Sequence, residues 1–372
     1  MSKKKILVTG GAGFIGSFLV DELVKRGHEV TVFDNFEPQV HGRKRPDYLN
    51  KGARYVKDSV TDMAAFKKVV LPAEVIFHEA AMVGVGQSQY QVSRYTEVNV
   101  LGTANLLDIL ANGKHRCQKL VVAASMSSYG EGLYACGEHG AVRPALRSEA
   151  DVASGQWEPG CPRCGKPVKP VATPETAELV CSSIYAQNKK DQEEMVLMFG
   201  RTYGLPSVAL RYFNVYGPRQ SLSNPYTGVC AIFMSRIKNG NRPVIYEDGG
   251  QSRDFVSVHD IVQANLLAME KPAADGEVFN VGTSKPLAVK DVARVLARLY
   301  GADIKADIVG KFRKGDVRHC FPDISKASKL LGYKPSVSFD DGMRELIEWS
   351  REAEAKDKFE EAARELKKRG LA

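Results

Sequence analysis

An apolar run followed by three regularly spaced glycines, close to the N-terminus, constrains the fold of this chain most strongly. Residues 6–9 read Ile-Leu-Val-Thr, and glycines follow at positions 10, 13 and 16 before an amphipathic stretch begins. The run predicts a buried parallel strand, and the glycines allow a tight turn into a helix, because a Cβ there would block the turn, the ligand or the helix–strand contact. Backbone N–H groups at a helix N-terminus suit a pyrophosphate. We therefore predict a dinucleotide site formed by Gly10, Gly13, Phe14, Ile15 and Gly16.

Strand-like and helix-like segments alternate through the first two-thirds of the chain. Amphipathic stretches such as Ser17–Lys25 and Val98–Leu110 separate β-branched or apolar runs at residues 5–9, 29–33, 74–78, 119–124 and 207–211. This alternation predicts an α/β fold with a Rossmann-type, doubly wound parallel sheet. We expect the dinucleotide-binding domain over residues 1–215, to which segments such as 251–282 return, a smaller α/β substrate lobe over 216–350, and a charged C-terminal helix over 351–372.

Composition and charge limit the possible partners. The 372 residues are 44% hydrophobic and 26% charged, which is typical of a soluble globular protein. No apolar run approaches the roughly 18 residues of a membrane span, so no membrane partner is expected. The net charge of +8 suits an anionic ligand, and the basic clusters at 43–45 and 367–369 lack the interleaved aromatic residues of a nucleic-acid binder. The basic N-terminus leads straight into the first strand, so we expect a cytoplasmic protein without a signal peptide.

An acidic residue after the second strand-like run selects the dinucleotide. Asp34 ends the run His28–Phe33, where a carboxylate can accept both hydrogen bonds from an adenosine ribose diol. The same carboxylate would repel a 2′-phosphate, so NAD is favoured over NADP. Asp58 and Ser59 follow a third run at 53–56 and are candidates to face the adenine.

A tyrosine and a lysine four residues apart form a candidate catalytic pair. Tyr185 and Lys189 share one face of a predicted helix, although the same spacing also occurs on exposed surface helices. A neighbouring ammonium group favours the phenolate and lowers the pKa of a tyrosine, which is otherwise about 10. The phenol can then act as a general acid or base near neutral pH. Ser125, at the end of the fourth run, supplies a second hydroxyl group.

Nine short motifs, spread over roughly residues 5–350, resemble those of the extended short-chain dehydrogenase/reductases in the NAD-dependent nucleotide-sugar epimerase/dehydratase family. They are T-G-G-A-G-F-I-G at 9–16, F-D-N at 33–35, H-E-A-A at 78–81, N-V-L-G-T at 99–103, S-M-S-S-Y-G at 125–130, Y-A-Q-N-K at 185–189, R-Y-F-N-V-Y-G-P-R at 211–219, Q-S-R-D-F-V at 251–256 and R-K-G-D at 313–316.

The resemblance implies roles for individual residues. Tyr185 would take the proton of a sugar hydroxyl, Ser125 would hold that oxygen, and Lys189 would bind the nicotinamide ribose and tune Tyr185. Further implied contacts to the cofactor, or support for its site, come from Asn35, Ala80 and Asn99. Arg253 and Arg313 would hold the nucleotide diphosphate, because arginine binds phosphate with two hydrogen bonds. Further implied substrate contacts are Val83, Asn214, Arg219, Asn224 and Asp316. Relatives also pair helices equivalent to about 98–112 and 186–203 in a homodimer.

The residues after Ser125 favour one reaction within this family. Dehydratases of the family carry an Asp-Glu pair at the positions that Met126 and Ser127 occupy here, and neither of these can act as an acid or base. The resemblance therefore implies inversion at C4 through a 4-keto sugar with recycled NAD. It implies dTDP-L-rhamnose, a UDP-hexose or a UDP-hexuronate as substrate. A reductase or dehydratase of the same family and a non-catalytic NAD-binding regulatory protein remain alternatives.

Residues 131–180 interrupt the alternation with a cysteine-rich insertion. Seven cysteines, an odd number, argue against a disulfide framework. Two knuckles of the form C-x-x-[C/H]-G supply a ligand set for tetrahedral structural Zn²⁺, made of Cys136, His139, Cys161 and Cys164. Cys181 is a possible replacement for His139, and free thiols or a redox pair of Cys161 and Cys164 are the alternatives. The insertion directly precedes the Tyr185 helix, so it could cover the sugar site.

Overall fold

A seven-stranded parallel sheet forms the main body of the computed structural model, which describes residues 3–42, 45–313 and 315–371. Residues 43 and 44 of the first basic cluster and residue 314 of the R-K-G-D motif lie outside these ranges. The strands are β1 (Lys5–Thr9), β2 (Glu29–Asp34), β3 (Arg54–Lys57), β4 (Val75–His78), β5 (Lys119–Ser125), β6 (Ser207–Tyr212) and β7 (Val278–Val281).

The strand order β7-β6-β5-β4-β1-β2-β3 confirms the doubly wound sheet expected from the sequence. In the register, Val8 of β1 lies beside Val32 of β2 on one side and Phe77 of β4 on the other. The chain winds in one direction from β1 to β3 and in the other from β4 to β7. The direction reverses between β1 and β4, and at such a point the carboxyl ends of the strands leave a crevice for a ligand.

Helices cover both faces of this sheet. The longer ones are α1 (Phe14–Lys25), α2 (Met63–Val70), α3 (Gly102–Asn112), α4 (Ile184–Tyr203), α5 (Val229–Lys238), α6 (Val258–Glu270), α7 (Val289–Tyr300), α8 (Ser325–Leu331), α9 (Phe339–Ser350) and α10 (Phe359–Lys368). Short helices span Pro38–His41, Val85–Ser88, Val92–Thr96 and Glu149–Ala153, and short 3-10 turns span Met126–Tyr129 and Pro272–Ala274. On one face, Val8 packs with residues of α1 and α6, and on the other, Leu7 packs with residues of α2, α3 and α4.

A π-helical turn replaces the start of one expected helix. The sequence predicts a helix from Val98, whereas the structure has a π turn over Glu97–Leu101 that leads into α3. Such turns often occur at functional sites, because the extra residue in the turn re-aims its side chains. Asn99 lies in this turn with no exposed surface.

A second lobe with its own apolar core follows β6. Its strand Ser252–Ser257 pairs in parallel with Asn214–Tyr216 and His319–Cys320 and antiparallel with Pro286–Ala288, and Val244–Ile245 pairs with Asp307–Ile308. The core of the lobe contains Met234 of α5, Leu296 of α7 and Leu346 of α9. The lobe lies over the carboxyl edge of the main sheet, where Phe255 and Cys230 face the same cavity as Gly10.

The cysteine-rich insertion is a small antiparallel sheet. Leu133–Cys136 is its central strand, flanked by Gly140–Val142 and Lys169–Val171. Its buried apolar cluster consists of Tyr134, Cys136, Val142, Cys161 and Val168, with Cys164 packed against it. This cluster is separate from the cores of the main sheet and of the second lobe.

The C-terminal segment is only partly the helix expected over 351–372. After α9 the chain is non-helical until α10 begins at Phe359. Leu366 of α10 is 8% exposed and lies against Gly86 of the short helix Val85–Ser88. Among the described residues, no helix has both the length and the apolar character needed to cross a membrane.

Candidate active site and metal cluster

A cavity of about 450 Å³ lies where β1, β4 and β5 end. Many of the residues expected at the dinucleotide and sugar sites line it. They are Gly10, Gly13, Phe14, Ile15, Gly16, Asp34, Asn35, Asp58, Ser59, Ala80, Val83, Ser125, Tyr185, Lys189, Asn214 and Asn224. Residues more than 200 positions apart in the sequence therefore share one wall.

The glycine turn has the geometry of a phosphate cradle. Gly10 has a φ of 68°, and a Cβ on it would lie 2.8 Å from the backbone nitrogen of Ala80. A Cβ on Gly16 would lie 2.4 Å from the carbonyl oxygen of Gly10. Among the described residues, no side chain caps the N-terminus of α1 at Gly13. The N–H groups of this turn can therefore bind an anionic group, so the turn fits a dinucleotide pyrophosphate.

Asp34 is fixed at the edge of the same cavity. Its carboxylate accepts hydrogen bonds from the backbone N–H groups of Ala12, at 3.0 Å, and Phe36, at 2.8 Å. Burial raises the pKa of Asp34, and these N–H groups and the nearby His41 oppose that shift. His41, whose Nε2 lies 3.9 Å from the carboxylate, was not anticipated from the sequence. The position suits acceptance of hydrogen bonds from a ribose diol.

The Tyr185 helix begins directly at the cavity. The hydroxyl oxygen of Ser183 accepts a hydrogen bond from the N–H of Ala186 at 3.1 Å and so caps α4 at its first turn. Tyr185, Lys189 and Ser125 are each less than a tenth exposed. The ammonium group of Lys189 donates to the carbonyl oxygen of Ala123 on β5 at 2.7 Å. The pair is thus on the buried face of α4, not on its surface.

Burial shifts the pKa values of Tyr185 and Lys189. It raises the pKa of Tyr185 to about 12, and the hydrogen bond with Ser125 acts in the opposite direction. Burial also lowers the pKa of Lys189 to about 8, while the negative charge of Glu79 opposes this. The phenol therefore needs further positive charge nearby before it can release its proton near neutral pH.

Glu79 is a member of the site that the sequence did not identify. It follows β4, lines the cavity and accepts a hydrogen bond from the hydroxyl of Tyr212 at 2.8 Å. Burial raises its pKa to about 7, and the hydrogen bond from Tyr212 and the charge of Lys189 oppose the shift. The sequence could have indicated Glu79, because it directly follows a buried parallel strand, and the carboxyl ends of such strands meet at the edge of the sheet where ligands bind.

Asn99 supports the cavity wall from behind it. Its side-chain oxygen accepts from the N–H of Met82 at 2.7 Å, and its side-chain nitrogen donates to the carbonyl oxygen of Met82 at 3.1 Å. Asn99 does not line the cavity itself, whereas Met82 does. The structure therefore gives Asn99 a positioning contact with the loop that precedes Val83.

Met126 and Ser127 line the cavity beside Ser125. The hydroxyl of Ser127 donates to the hydroxyl oxygen of Ser125 at 2.8 Å. Neither side chain can exchange a proton with carbon or with a leaving hydroxyl group near pH 7. The position next to Ser125 thus orients that hydroxyl and supplies no carboxylate.

Four expected substrate contacts lie outside the cavity. Arg219 pairs with Asp21 at 2.7 Å and stacks over the ring of Phe18 at 4.2 Å, so the structure places it beside α1 instead of the sugar site. Arg253 donates to the carbonyl oxygens of Ser252, Val317 and Arg318.

The remaining two form an ion pair with each other. Arg313 donates to the carboxylate of Asp316 at 2.9 Å and lies over the ring of Tyr246 at 4.9 Å. Arg253 and this pair lie near one another in the second lobe, because the carbonyl groups that bind Arg253 directly follow Asp316.

The four expected metal ligands meet in the insertion. Their ligand atoms all lie within 4.8 Å of one another. The sulfur atoms of Cys136 and Cys161 lie 3.6 and 3.7 Å from Nδ1 of His139, and the sulfur atoms of Cys136 and Cys164 are 3.8 Å apart. Bonds of about 2.3 Å to sulfur and about 2.0 Å to nitrogen around a tetrahedral ion give ligand separations of about 3.5–3.8 Å. The donor set therefore fits tetrahedral Zn²⁺.

Cys181, the alternative ligand, lies elsewhere. Its thiol approaches the carbonyl oxygen of Ser128 at 3.6 Å, and His139 occupies the fourth position of the cluster.

Backbone N–H groups at the knuckles stabilise the thiolate forms of the cysteines. Although burial opposes the shift, those of Arg163 and Cys164 lower the pKa of Cys161 to about 7.

Together, the sheet and the Ser125–Tyr185–Lys189 group define a dinucleotide-dependent enzyme of the short-chain dehydrogenase/reductase class. Residues 6–145 match the model of the NAD dependent epimerase/dehydratase family, and residues 165–346 match that of GDP-mannose 4,6 dehydratase.

Individual proteins are similar over nearly the whole chain. A dTDP-L-rhamnose 4-epimerase from Burkholderia thailandensis is 36% identical over 350 residues, which cover 93% of this chain and 94% of the relative. The crystal structure of UDP-glucose 4-epimerase with UDP-glucose from Thermotoga maritima is 33% identical, with a TM-score of 0.76 and coverage of 93% and 98%. That of Thermus thermophilus UDP-glucose 4-epimerase with NAD is 29% identical, with a TM-score of 0.73 and coverage of 94% and 100%. The chain belongs to the NAD-dependent epimerase/dehydratase family of enzymes.

Proposed function

We propose that this protein is an NAD-dependent nucleotide-sugar 4-epimerase. The observation that carries the proposal is the shared cavity, in which the glycine turn and Asp34 lie at one end and Ser125, Tyr185 and Lys189 at the other. Family membership and the solved relatives with NAD or UDP-glucose support the same cofactor and substrate class. The glycine turn and Asp34 would hold NAD, which would supply a hydride acceptor at C4 of the sugar. The hydride would return to the other face of the 4-keto sugar after that sugar has rotated in the cavity.

The buried hydroxyl groups would handle the proton at O4. Tyr185 takes the proton when C4 is oxidised and returns it when C4 is reduced, while Ser125 holds the oxygen by a hydrogen bond. Lys189, which donates to the carbonyl oxygen of Ala123, would stabilise the phenolate and bind a ribose hydroxyl of the cofactor. The ammonium of Lys189 and an oxidised nicotinamide provide the positive charge that the raised pKa of Tyr185 requires.

A 4,6-dehydratase of the same family is the second candidate. The match of residues 165–346 to the dehydratase model favours it, and Glu79 is an acid in the cavity. Met126 and Ser127 disfavour it, because elimination requires an acid and a base at C5 and C6. Glu79 also has its own partner in Tyr212. We therefore rank inversion at C4 first.

The sugar is proposed from the wall of the cavity. Met82 and Val83 present apolar side chains at the sugar end, which suits a 6-deoxy sugar such as that of dTDP-L-rhamnose. The similarity to the Burkholderia enzyme supports this choice. UDP-glucose and UDP-glucuronate are the next candidates.

The test is an NMR assay of the purified protein without added NAD. dTDP-L-rhamnose, UDP-glucose, UDP-glucuronate and UDP-N-acetylglucosamine are supplied in turn, with Tyr185→Phe as the control. We expect a C4 epimer from one of them and a loss of about 10²–10⁴-fold in the variant. A 4-keto-6-deoxy product would identify a dehydratase instead. Stoichiometric NADH without any epimer would refute the proposal.

We also infer that Cys136, His139, Cys161 and Cys164 hold one structural Zn²⁺. The ligand separations support tetrahedral coordination, and a sheet with so few apolar residues gains ordering energy from a metal. With four protein ligands the site has no open position, so it would be structural. We expect about one zinc per chain by elemental analysis and a loss of zinc in Cys161→Ser. Less than about 0.2 zinc per chain, with unchanged folding after chelation, would refute this inference.

A homodimer is proposed on the surface of α3 and α4. Met198 and Tyr203 of α4 are 58% and 60% exposed, and Leu101 before α3 is 48% exposed. Exposed apolar side chains on neighbouring helices favour an interface. We expect twice the chain mass in light scattering and a monomer after Met198→Glu.

We propose that the protein works in the cytoplasm, where reducing conditions would keep its thiols available as ligands.

A further inference from the structure

Three charged side chains of the insertion reach out of it to the second lobe. They are Glu131, Arg147 and Glu158, and all three contact residues 316–319 or the groups that surround them. None of these three residues belongs to the cysteine cluster, and none lines the main cavity. Their contacts have no role in the reaction proposed above.

Glu131 binds the backbone of residues 316–319, which we call the docked segment. Its two carboxylate oxygens accept hydrogen bonds from the N–H groups of Arg318 and His319, both at 2.8 Å. The hydroxyl of Tyr134, on the central strand of the insertion, donates to the same carboxylate at 2.6 Å. Glu131 is 3% exposed, so these bonds are made away from water.

Arg147 makes a two-point contact with the second lobe. Its guanidinium donates to both carboxylate oxygens of Glu247 at 2.8 Å and to the carbonyl oxygen of Asp316 at 3.1 Å. A further bond runs to the carbonyl oxygen of Trp157 within the insertion. The side chains of Arg147 and Glu247 are 5% and 2% exposed, so this bidentate ion pair is buried, and its two parallel hydrogen bonds fix the orientation of both groups.

Glu158, three residues before Cys161, makes the third contact with the second lobe. It accepts from the guanidinium of Arg318 at 2.6 and 2.9 Å and lies 3.0 Å from Nε2 of His319. The hydrogen bond with His319 and the charge of Arg318 lower the pKa of Glu158 to about 2, so it stays ionised across the neutral range. Arg318 is 2% exposed and also donates to Glu247 and Asp248.

The docked segment contacts the two arginines that are expected to bind the nucleotide diphosphate. Arg253 donates to the carbonyl oxygens of Val317 and Arg318, so its orientation depends on where that backbone lies. Arg313 pairs with Asp316, the first residue of the docked segment. A displacement of residues 316–319 would therefore move both arginines.

The metal cluster links the parts of the insertion that carry these contacts. Cys136 ends the strand that holds Tyr134, and Cys161 lies three residues after Glu158. The small apolar cluster, to which Cys136 and Cys161 belong, and the exposed ion pair of Lys166 with Glu138 also join the two knuckles. A separate bond, from the N–H of Thr173 to the carbonyl oxygen of Phe321, joins the insertion to the residue after Cys320 and does not involve the knuckles.

We propose that the insertion is a metal-dependent brace, formed by Glu131, Arg147 and Glu158, that positions the Arg253 and Arg313 region to bind the diphosphate of a nucleotide ligand. The proposal rests on the nucleotide-sugar function and the metal site inferred above. The metal would then set nucleotide affinity from outside the cavity. It would have little effect on the dinucleotide end, which the main sheet builds.

The test compares Glu158→Gln with Glu138→Gln in the holoenzyme. Because the side chain of Glu158 is half exposed, we expect the Glu158→Gln variant to fold. Glu138 is an exposed residue of the same insertion, and its side chain pairs with Lys166. Binding of UDP and of dTDP is measured by calorimetry. We expect about tenfold weaker binding for Glu158→Gln, unchanged binding for Glu138→Gln, and unchanged NAD content in both. Chelation or Cys161→Ser should reproduce the Glu158→Gln result.

Two readouts separate the brace from the proposed activity. Amide hydrogen exchange of residues 315–320 should accelerate after metal removal, and emission of Trp157 in a Trp349→Phe background should change with it. Unchanged exchange, or unchanged nucleotide affinity in the metal-free protein, would overturn the brace. If the wild-type protein binds neither UDP nor dTDP, the nucleotide-sugar function fails, and the brace's claim on affinity fails with it. A protein that binds them but forms no epimer leaves the brace judged by exchange and affinity alone.

Discussion

Gly16 shows how a single backbone position decides the dinucleotide site. A Cβ there would lie 2.4 Å from the carbonyl oxygen of Gly10 and 2.7 Å from Cα of Gly11, so backbone atoms would have to move. A Cβ on Gly13 would meet only the Gly10 oxygen, at 3.2 Å. The two glycines thus differ in how tightly the turn closes around them.

We expect Gly16→Ala to abolish retention of NAD and to lower the free energy of unfolding by about 1–3 kcal/mol, because the turn must open. Gly13→Ala should weaken NAD binding with a smaller loss of stability. Denaturant unfolding and the NAD content of the purified variants measure both effects. Equal stability of Gly16→Ala and wild type would contradict the close contact.

Glu79 and Lys189 form a residue pair that influences the charge beside Tyr185, the proposed catalytic residue. Burial lowers the pKa of Lys189 to about 8, and the carboxylate of Glu79 opposes that shift. In Glu79→Gln the opposing charge is lost, so the pKa of Lys189 should fall further. The lysine would then lose its proton, and its effect on Tyr185, at a lower pH.

The expected result for Glu79→Gln is that the alkaline limb of the kcat–pH profile moves to lower pH by about one unit. Tyr212→Phe removes the hydrogen bond that keeps Glu79 ionised and should shift the limb in the same direction by less. Steady-state rates across the pH range test both variants. A Glu79→Gln profile that overlays the wild-type profile would exclude this coupling.

At the scale of elements, α10 reaches the active site although it lies at the end of the chain. Leu366 packs on Gly86, next to the cavity loop, and Arg369 stacks over the ring of Tyr90 at 4.2 Å. The hydroxyl of Tyr90 lies 2.6 Å from that of Tyr226, which lines the cavity. The helix therefore contacts the segment from Val85 to Tyr90 and, through Tyr90, is linked to Tyr226 in the cavity wall.

Leu366→Ala should weaken the packing of α10 on the rest of the protein by about 2–5 kcal/mol of free energy, because a nearly buried side chain is removed. We expect a higher KM for the nucleotide sugar with kcat and NAD content nearly unchanged. Leu330→Ala, at a 37% exposed leucine of α8, is the matched control. The same KM for both variants would show that α10 has no influence on the site.

At the scale of the whole molecule, the cavity joins the two lobes. Gly10 and Asp34 come from the main sheet, and Cys230 and Phe255 come from the second lobe. A ligand in this cavity binds only when both lobes are folded, so it stabilises the molecule as a unit.

Addition of NAD to protein from which the cofactor has been removed should therefore raise the melting temperature. At 100 times its Kd, NAD should raise the free energy of unfolding by about 2.7 kcal/mol. NADP should give a smaller shift at the same concentration, because Asp34 would repel its 2′-phosphate. A thermal scan with each dinucleotide makes the comparison. A larger shift with NADP would reverse the assignment of the cofactor.

Local pattern in the sequence determined the fold class and the core of the site. The strands expected at 5–9 and 207–211 lie at 5–9 and 207–212, because apolar runs and glycine turns act over a few residues. Tyr185 and Lys189 were predictable because a spacing of four places two side chains on one helix face. The cysteine knuckles were predictable from the same kind of short-range spacing.

Only the tertiary structure decided which distant residues meet. It placed Arg219 beside Asp21, Glu79 close enough to Lys189 to change its pKa, and His139 instead of Cys181 beside Cys136, Cys161 and Cys164. It also joined the insertion to residues 316–319 through buried charges. These outcomes depend on packing between segments far apart in the chain, and burial then changes the ionisation of the groups it encloses. The sequence by itself determines the glycine turn and the helical pair, and the folded chain determines the electrostatic environment in which they act.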